Sequence, residues 1–196
     1  MADSTSHSAV AVVLRARDGH LEVLLAGDDL PAVTLAPGEA LEAALARAVD
    51  VGALAHAEQL ETRLLADGTI ATAYLGLVAS DSELDGEWRP IASVTLPFVG
   101  AAQSRLRAKL SYTNVGFALA PATFTISELR EVYVAALGYD VSSTNLQRVL
   151  VRRGVLERVA GQRAPGRAGG RPAALFRFAS TRLEVTDEFA ALRPPR

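Results

Sequence analysis

Residues 125–138 read TISELREVYVAALG and residues 142–154 read SSTNLQRVLVRRG. These two stretches decide the fold of the second half of the chain. Thr125 followed by Glu128 is a capping box: the threonine hydroxyl accepts from the glutamate N–H, and the carboxylate reaches back to the threonine N–H. The helix behind it puts Leu129, Val132, Tyr133, Ala136 and Leu137 on one face and stops at Gly138. Ser142 caps a second helix that ends at Gly154, with Leu146, Val149 and Leu150 as its apolar face. Its other face presents Asn145, Arg148 and Arg152 at spacings of three and four. Residues 155–159 and 174–178 then read as strands, joined by the basic, glycine-rich stretch GQRAPGRAGGRP at 161–172. The order is helix, turn, helix, then a hairpin with an arginine-bearing tip.

Upstream the pattern changes. Residues 10–17 and 21–25 are β-rich and flank Asp18-Gly19, a strong hairpin signal. A second hairpin is predicted from residues 60–65, Asp67-Gly68 and residues 69–78, where Ala71, Ala73, Leu75 and Leu77 keep a period of two. Between them, residues 39–49 have helical composition after Pro37-Gly38, and a later strand surrounds Trp88. This predicts an α/β sandwich of roughly one hundred residues. Residues 101–110 read as a further helix, with Leu106 and Leu110 four apart. The expected division is a disordered tail at 1–9, a sandwich domain at 10–100 and a helix–turn–helix domain at 101–196.

Composition narrows the function classes. Apolar residues make up 49% and charged residues 21%, a globular balance. With no cysteine, disulfides, thiolate metal sites and thiol nucleophiles are excluded. His7, His20 and His56 show no metal-ligand spacing. No signal peptide and no apolar run of 18 residues is present, so a soluble cytoplasmic protein is expected. The net charge of −2 hides an asymmetry. Residues 1–100 carry 5 basic and 15 acidic side chains (−10), whereas residues 101–196 carry 15 basic and 7 acidic (+8). An acidic module joined to one that meets a polyanion is the simplest account.

The second half has the residue types for duplex DNA. A recognition helix brings polar and basic side chains to base edges in the major groove. Ser143, Thr144, Asn145, Arg148 and Arg152 are the candidates. Arg163, Arg167 and Arg171, amid glycines and prolines, suit phosphate contact or a narrow minor groove. The competing account makes the helix face merely solvated and the loop a connector. Arginines on both elements, on the basic side of the charge swing, favour DNA.

In the first half, Pro37-Gly38-Glu39 and Arg47 resemble the Nudix box, G-x5-E-x7-R-E-U-x-E-E-x-G-U. Glu39 takes the first glutamate position and Arg47 the arginine position. In that family the glutamates after the arginine hold a divalent cation, which polarises a diphosphate for attack by water. Here those positions are Ala48, Val51 and Gly52, the glycine positions are Val33 and Leu54, and Asp50 falls out of phase. Ala, Val and Gly supply no oxygen ligand, so no catalytic metal is expected and Glu39 with Arg47 reads as a structural pair. A displaced metal site drawing Asp50 together with Asp81, Glu83 or Asp85 is the minor alternative.

Taken whole, the chain resembles the Nudix-related transcriptional regulators, the NrtR-like family. The match runs through Leu106-Arg-Ala-Lys-Leu-Ser-Tyr-Thr113, Phe117-Ala-Leu-Ala-Pro121, Phe124-Thr-Ile-Ser-Glu-Leu-Arg130, Val132-Tyr133, Asn145 with Arg148, Gly170-Arg-Pro-Ala173 and Leu175-Phe-Arg-Phe178. The resemblance implies an α+β protein: an N-terminal Nudix-like α/β/α sandwich followed by a C-terminal winged helix-turn-helix domain. It implies a homodimeric repressor on a palindromic double-stranded DNA operator, with a small-molecule effector such as ADP-ribose or a related nucleotide and a link to NAD metabolism. The sequence departs from the family in Ser143-Thr144, where more basic residues are common, and in Leu146, which replaces an aromatic. Two alternatives stand beside this reading: a residual nucleoside-diphosphate hydrolase with a DNA-binding appendage, and a regulator whose acidic half is only a dimerisation scaffold.

Overall fold

The computed structural model describes residues 6–163 and 172–188. They group into two compact units. One holds the chain up to Arg15, Leu21–Val78 and Ser82–Arg105; the other holds Ala16–His20, Ala79–Asp81 and the chain from Leu106. No helix among the described residues is long and apolar enough to cross a membrane.

The first unit is a mixed sheet built on β1 (His7–Arg17). Asp18 and Gly19, both at positive φ, turn β1 into β2 (His20–Leu25) as the dipeptide predicts. β3 (Ala32–Thr34) pairs antiparallel with the start of β1, Ala9 opposite Val33. Helix α1 (Leu41–Ala48) follows, then the hairpin of β4 (His56–Leu64) and β5 (Ile70–Leu77), and β6 (Glu87–Pro90). The strand order is β4-β5-β1-β2-β6, with β5 parallel to β1 and β6 antiparallel to β2. Ala9, Ala11 and Val13 of β1 share a core with Ala44, Leu45 and Val49 of the α1 segment. Val10, Val12 and Leu14 are buried on the opposite face. A run buried on both faces explains why β1 shows no alternation in sequence. β3 was absent from the sequence expectation, and α1 is shorter than the predicted 39–49. The first half of α2 (Val99–Tyr112) is tied to β4, where Arg105 reaches Glu58 and the Leu60 carbonyl.

The second unit takes up α2 from Leu106. A single helical turn at Val115–Ala118 leads to α3 (Ile126–Leu137), α4 (Ser143–Arg152), β7 (Leu156–Arg163) and β8 (Ala173–Phe178). Both halves of the capping box are made, with Glu128 N donating to Thr125 Oγ1 at 3.3 Å and Thr125 N donating to Glu128 Oε2 at 2.7 Å. Gly138 closes α3 in the left-handed region. Arg130 then stitches the inter-helix turn back onto α3, donating to the Val141 carbonyl at 2.8 Å and pairing with Asp140. Phe124, fully buried, exchanges two backbone hydrogen bonds with Phe176 of β8, at 3.0 and 2.8 Å. The fold is α+β: a sheet-centred unit, then a helix–turn–helix with a two-stranded wing.

Gly116 sits where the second core admits no side chain. A Cβ there would lie 2.7 Å from Tyr133 Oη and 3.1 Å from Phe178 Cζ. Gly116→Ala should therefore cost about 1–3 kcal/mol, the usual penalty of overpacking. The Tyr133 hydroxyl has no hydrogen-bond partner among the described residues, and burial pushes its pKa up. Removing it should not be costly by itself, so Tyr133→Phe should recover part of the Gly116→Ala loss. Urea unfolding of the two single variants and the double variant checks this; additive losses would refute the contact.

Candidate nucleic-acid interface and degenerate Nudix site

The outward face of α4 follows from what it buries. Leu146 and Leu150 enter the core, so the opposite side carries Thr144, Arg148 and Val151, flanked by Gln147 and Arg152. All five are exposed, and Ser143 is half-buried at the first turn. Ser142 caps the helix through the Asn145 N–H at 3.4 Å. Asn145 is exposed on the flank of the helix, and its Oδ1 accepts from Arg148 Nη2 at 2.8 Å. The pair is preformed as a unit, with four guanidinium N–H groups left for an external acceptor. Sequence reading passed over Gln147 and Val151; a helical wheel centred opposite Leu146 and Leu150 places Val151 on this face and Gln147 at its edge.

The wing differs from expectation at one arginine. Sequence patterning placed Arg163 in an unstructured tip; instead β7 continues past a register shift between Val159 and Gln162, and Arg163 pairs with Ala173. Gly161 at φ 102° accommodates the irregularity. Arg163 also donates to the Thr123 carbonyl at 3.3 Å and lies 3.2 Å from Glu128. It is thus aimed by strand and ion pair, at the start of α3. Arg167 and Arg171 lie outside the described residues.

At the far end of α4, Arg153 makes a contact that the sequence did not reveal. Its Nη2 donates to Asp187 at 2.7 Å and its Nη1 to the Ser111 carbonyl at 3.0 Å. The Arg153 and Asp187 side chains are only 12% and 10% exposed. Residues 180–187 reach this position by running along Asn114 and Tyr112: Asn114 bonds Arg182 O and Glu184 N, and Thr186 N and Asp187 N donate to Tyr112 O.

In the first unit, Glu39 and Arg47 form the expected brace. Arg47 Nε and Nη2 donate to the two Glu39 oxygens at 2.9 and 2.7 Å, and Nη2 also reaches Thr34 O at 2.9 Å. Glu39 Oε2 in turn accepts from Ala36 N at 2.7 Å. The loop before α1 is thereby fastened to the helix, and the Arg47 guanidinium, then the Ala36 N–H, hold the Glu39 carboxyl below its ordinary pKa. A depressed pKa means that the brace persists through the ordinary carboxylate range and is lost only as pH falls through the lowered value.

The remaining box positions are divided between two elements and carry no carboxylate. α1 ends at Ala48, Val49 is extended, and Val51–Ala53 form a separate 3-10 turn capped by Asp50, whose side chain accepts from Gly52 N at 3.0 Å. Positions 48, 51 and 52 therefore share no helix. Beside them lies a cleft of about 730 Å³ whose charged lining residues are Asp50, Glu83 and Asp85, among apolar walls that include Leu24, Val49 and Leu84. Among the described residues no three carboxylate or imidazole groups come close enough to hold a metal ion.

The geometry defines a two-domain architecture in which an altered Nudix-type sheet unit precedes a winged helix. Residues 116–178 match the NrtR DNA-binding winged helix domain. Over 78 residues the chain is 36% identical to the ADPR responsive transcriptional repressor NtrR of Acinetobacter baylyi, a match covering 40% of this chain and 30% of that relative's length. Shewanella oneidensis NrtR, crystallised with a 27mer DNA, superposes with a TM-score of 0.70 at 27% identity over 87% of this chain and 92% of that one. A MutT/nudix family protein from Enterococcus faecalis shares the fold, with a TM-score of 0.63 at 16% identity over 92% and 90% of the two chains. Residues 116–178 are thus similar to the NrtR winged-helix domain, and over 87% of its length the chain is similar in fold to Shewanella NrtR.

The Arg153–Asp187 pair yields a test independent of DNA. Arg153→Ala removes the largely buried ion pair with Asp187 and the hydrogen bond to the Ser111 carbonyl, and should destabilise the second unit by more than about 1 kcal/mol. Arg177→Ala, which breaks the exposed Arg177–Glu157 pair on the wing, should cost less than about 1 kcal/mol. Denaturant titration of both variants checks the contrast; equal effects would contradict the burial difference.

Proposed function

We propose that this chain is a DNA-binding transcriptional repressor, acting as a homodimer on a palindromic operator, and that its Nudix-like unit receives a nucleotide-type effector without hydrolysing it. The observation that carries the proposal is the outward face of α4, with Arg148 at its centre, in a domain of the NrtR winged-helix type. Ser143, Thr144, Asn145, Arg148 and Arg152 would meet the major groove, and Arg163, with Arg167 and Arg171, the backbone beside it. By analogy with the Acinetobacter relative the effector would be ADP-ribose. Such a ligand controls DNA binding only if it favours one state of the dimer over the other.

The second reading, a Nudix-like unit that serves only as a scaffold, is favoured by the cleft. Its charged residues are all acidic, which disfavours a pyrophosphate unless a cation compensates. A thermal-shift titration of the full chain with ADP-ribose, run with Mg²⁺ and again with EDTA, separates the two readings. The effector reading expects a saturable rise in Tm; no shift in either buffer leaves the scaffold. With Mg²⁺ or Mn²⁺, hydrolysis of ADP-ribose should not exceed the blank, because positions 48, 51 and 52 carry no carboxylate and share no helix. Turnover of about 1 s⁻¹ would restore the hydrolase.

On DNA, Arg148→Ala should cost about 1–3 kcal/mol and relax specificity at one position. Arg163→Ala should weaken all duplexes evenly and lower the salt slope by about one unit per subunit. Titration of selected and scrambled duplexes at several salt concentrations distinguishes the two. If Arg163→Ala abolished operator preference while Arg148→Ala left it intact, the wing rather than α4 would be the reader.

A further inference from the structure

Beyond the arginines, α4 presents two exposed side chains of different chemistry one turn apart. Gln147 and Val151 stand at i and i+4, beside Arg148. Val151 is 48% exposed, an aliphatic group on a face that is otherwise polar. The helix core of Leu146 and Leu150 does not enclose it, and a β-branched residue adds nothing to helix propensity at a solvated position. Both residues line one groove of about 480 Å³, whose far wall is the wing through Leu156, Arg158, Ala173 and Phe176 and whose end is the start of α3 at Thr125–Ser127.

Resting on the DNA-binding reading above, we infer that Gln147 and Val151 read A·T pairs: the Gln147 carboxamide takes adenine, and the Val151 methyls pack on the 5-methyl of thymine. A carboxamide offers a donor and an acceptor together, which matches adenine N7 and N6 in the major groove. The thymine methyl is the apolar group that the major groove displays, and an exposed aliphatic side chain is its complement. Four helical residues span about 6 Å and base pairs rise about 3.4 Å, so the adenine and thymine positions lie one or two base pairs apart. Arg148, next to Gln147, keeps the base contact assigned to it above; Gln147 and Val151 add the distinction between A·T and G·C at neighbouring positions.

The experiment uses the whole 196-residue chain. Duplexes are first selected from a randomised pool by the wild type, and each thymine of the selected duplex is then replaced singly by uracil, which removes only the methyl group. The wild type should lose about fourfold in affinity at one thymine, the worth of one buried methyl group, and Val151→Ala should show no such loss. Gln147→Ala should reduce discrimination for adenine at a position one or two base pairs away by about tenfold. Both residues are exposed, so the variants should keep the wild-type circular dichroism and Tm. An unchanged uracil penalty in Val151→Ala, or unchanged adenine preference in Gln147→Ala, overturns the inference. So does a wild type that binds tightly with no uracil-sensitive position. A wild type that enriches no duplex overturns the DNA-binding reading itself, and the inference falls with it.

Discussion

The exchange of backbone hydrogen bonds between Phe124 and Phe176 is the constraint on which the second unit depends. It makes the residue before the α3 cap into a third position of the wing sheet, so helix–turn–helix and wing are not separately adjustable. Phe124 anchors that junction in the core, 5.4 Å from the Phe178 ring at a tilted angle. The threonine that follows it caps α3. The same segment therefore ends a strand contact and begins a helix, and Arg130 fixes the turn into α4 from the same helix. The outward face of α4 and the groove beside it inherit their geometry from this junction.

In the first unit, what survives of the Nudix box is what holds the loop rather than what holds a metal. Glu39 and Arg47 satisfy each other, and between them also the last carbonyl of β3 and a backbone N–H of the loop that follows it. That role is independent of the positions that would have carried chemistry. Asp50, the one acid left near the end of α1, spends an oxygen on the Gly52 N–H. With α1 ending at Ala48 and a 3-10 turn at Val51–Ala53, the positions that would carry ligands are divided between two elements.

Much of the second unit was legible because its signals are local. The capping box, the left-handed Gly138 and the Ser142 cap are each decided within four residues, and all three stand where the sequence places them. Asp18-Gly19 is legible for the same reason. What escaped depends on distance or on length. β3 is three residues long and carries no period. The extension of β7 to Arg163 hangs on a bulge at Gly161, which reads in sequence as the start of a loop. Arg153 and Asp187 are 34 residues apart, and nothing near either names the other. On α4, Arg148 drew notice by charge, whereas Gln147 and Val151 did not enter the sequence reading at all.

The segment beyond β8 changes what counts as the folded module. The stretch recognised as the winged helix domain closes at residue 178, yet the carboxylate that neutralises Arg153 and the carbonyls and amides that satisfy Asn114 all come later, at residues 180–187. Tyr112, whose carbonyl accepts from that segment, comes earlier, in α2. A fragment cut at the recognised boundaries would retain every residue of α4 while leaving the guanidinium at its end uncompensated. The evolutionary unit, shared among relatives, and the thermodynamic unit, closed with respect to its buried charges, have different edges in this protein.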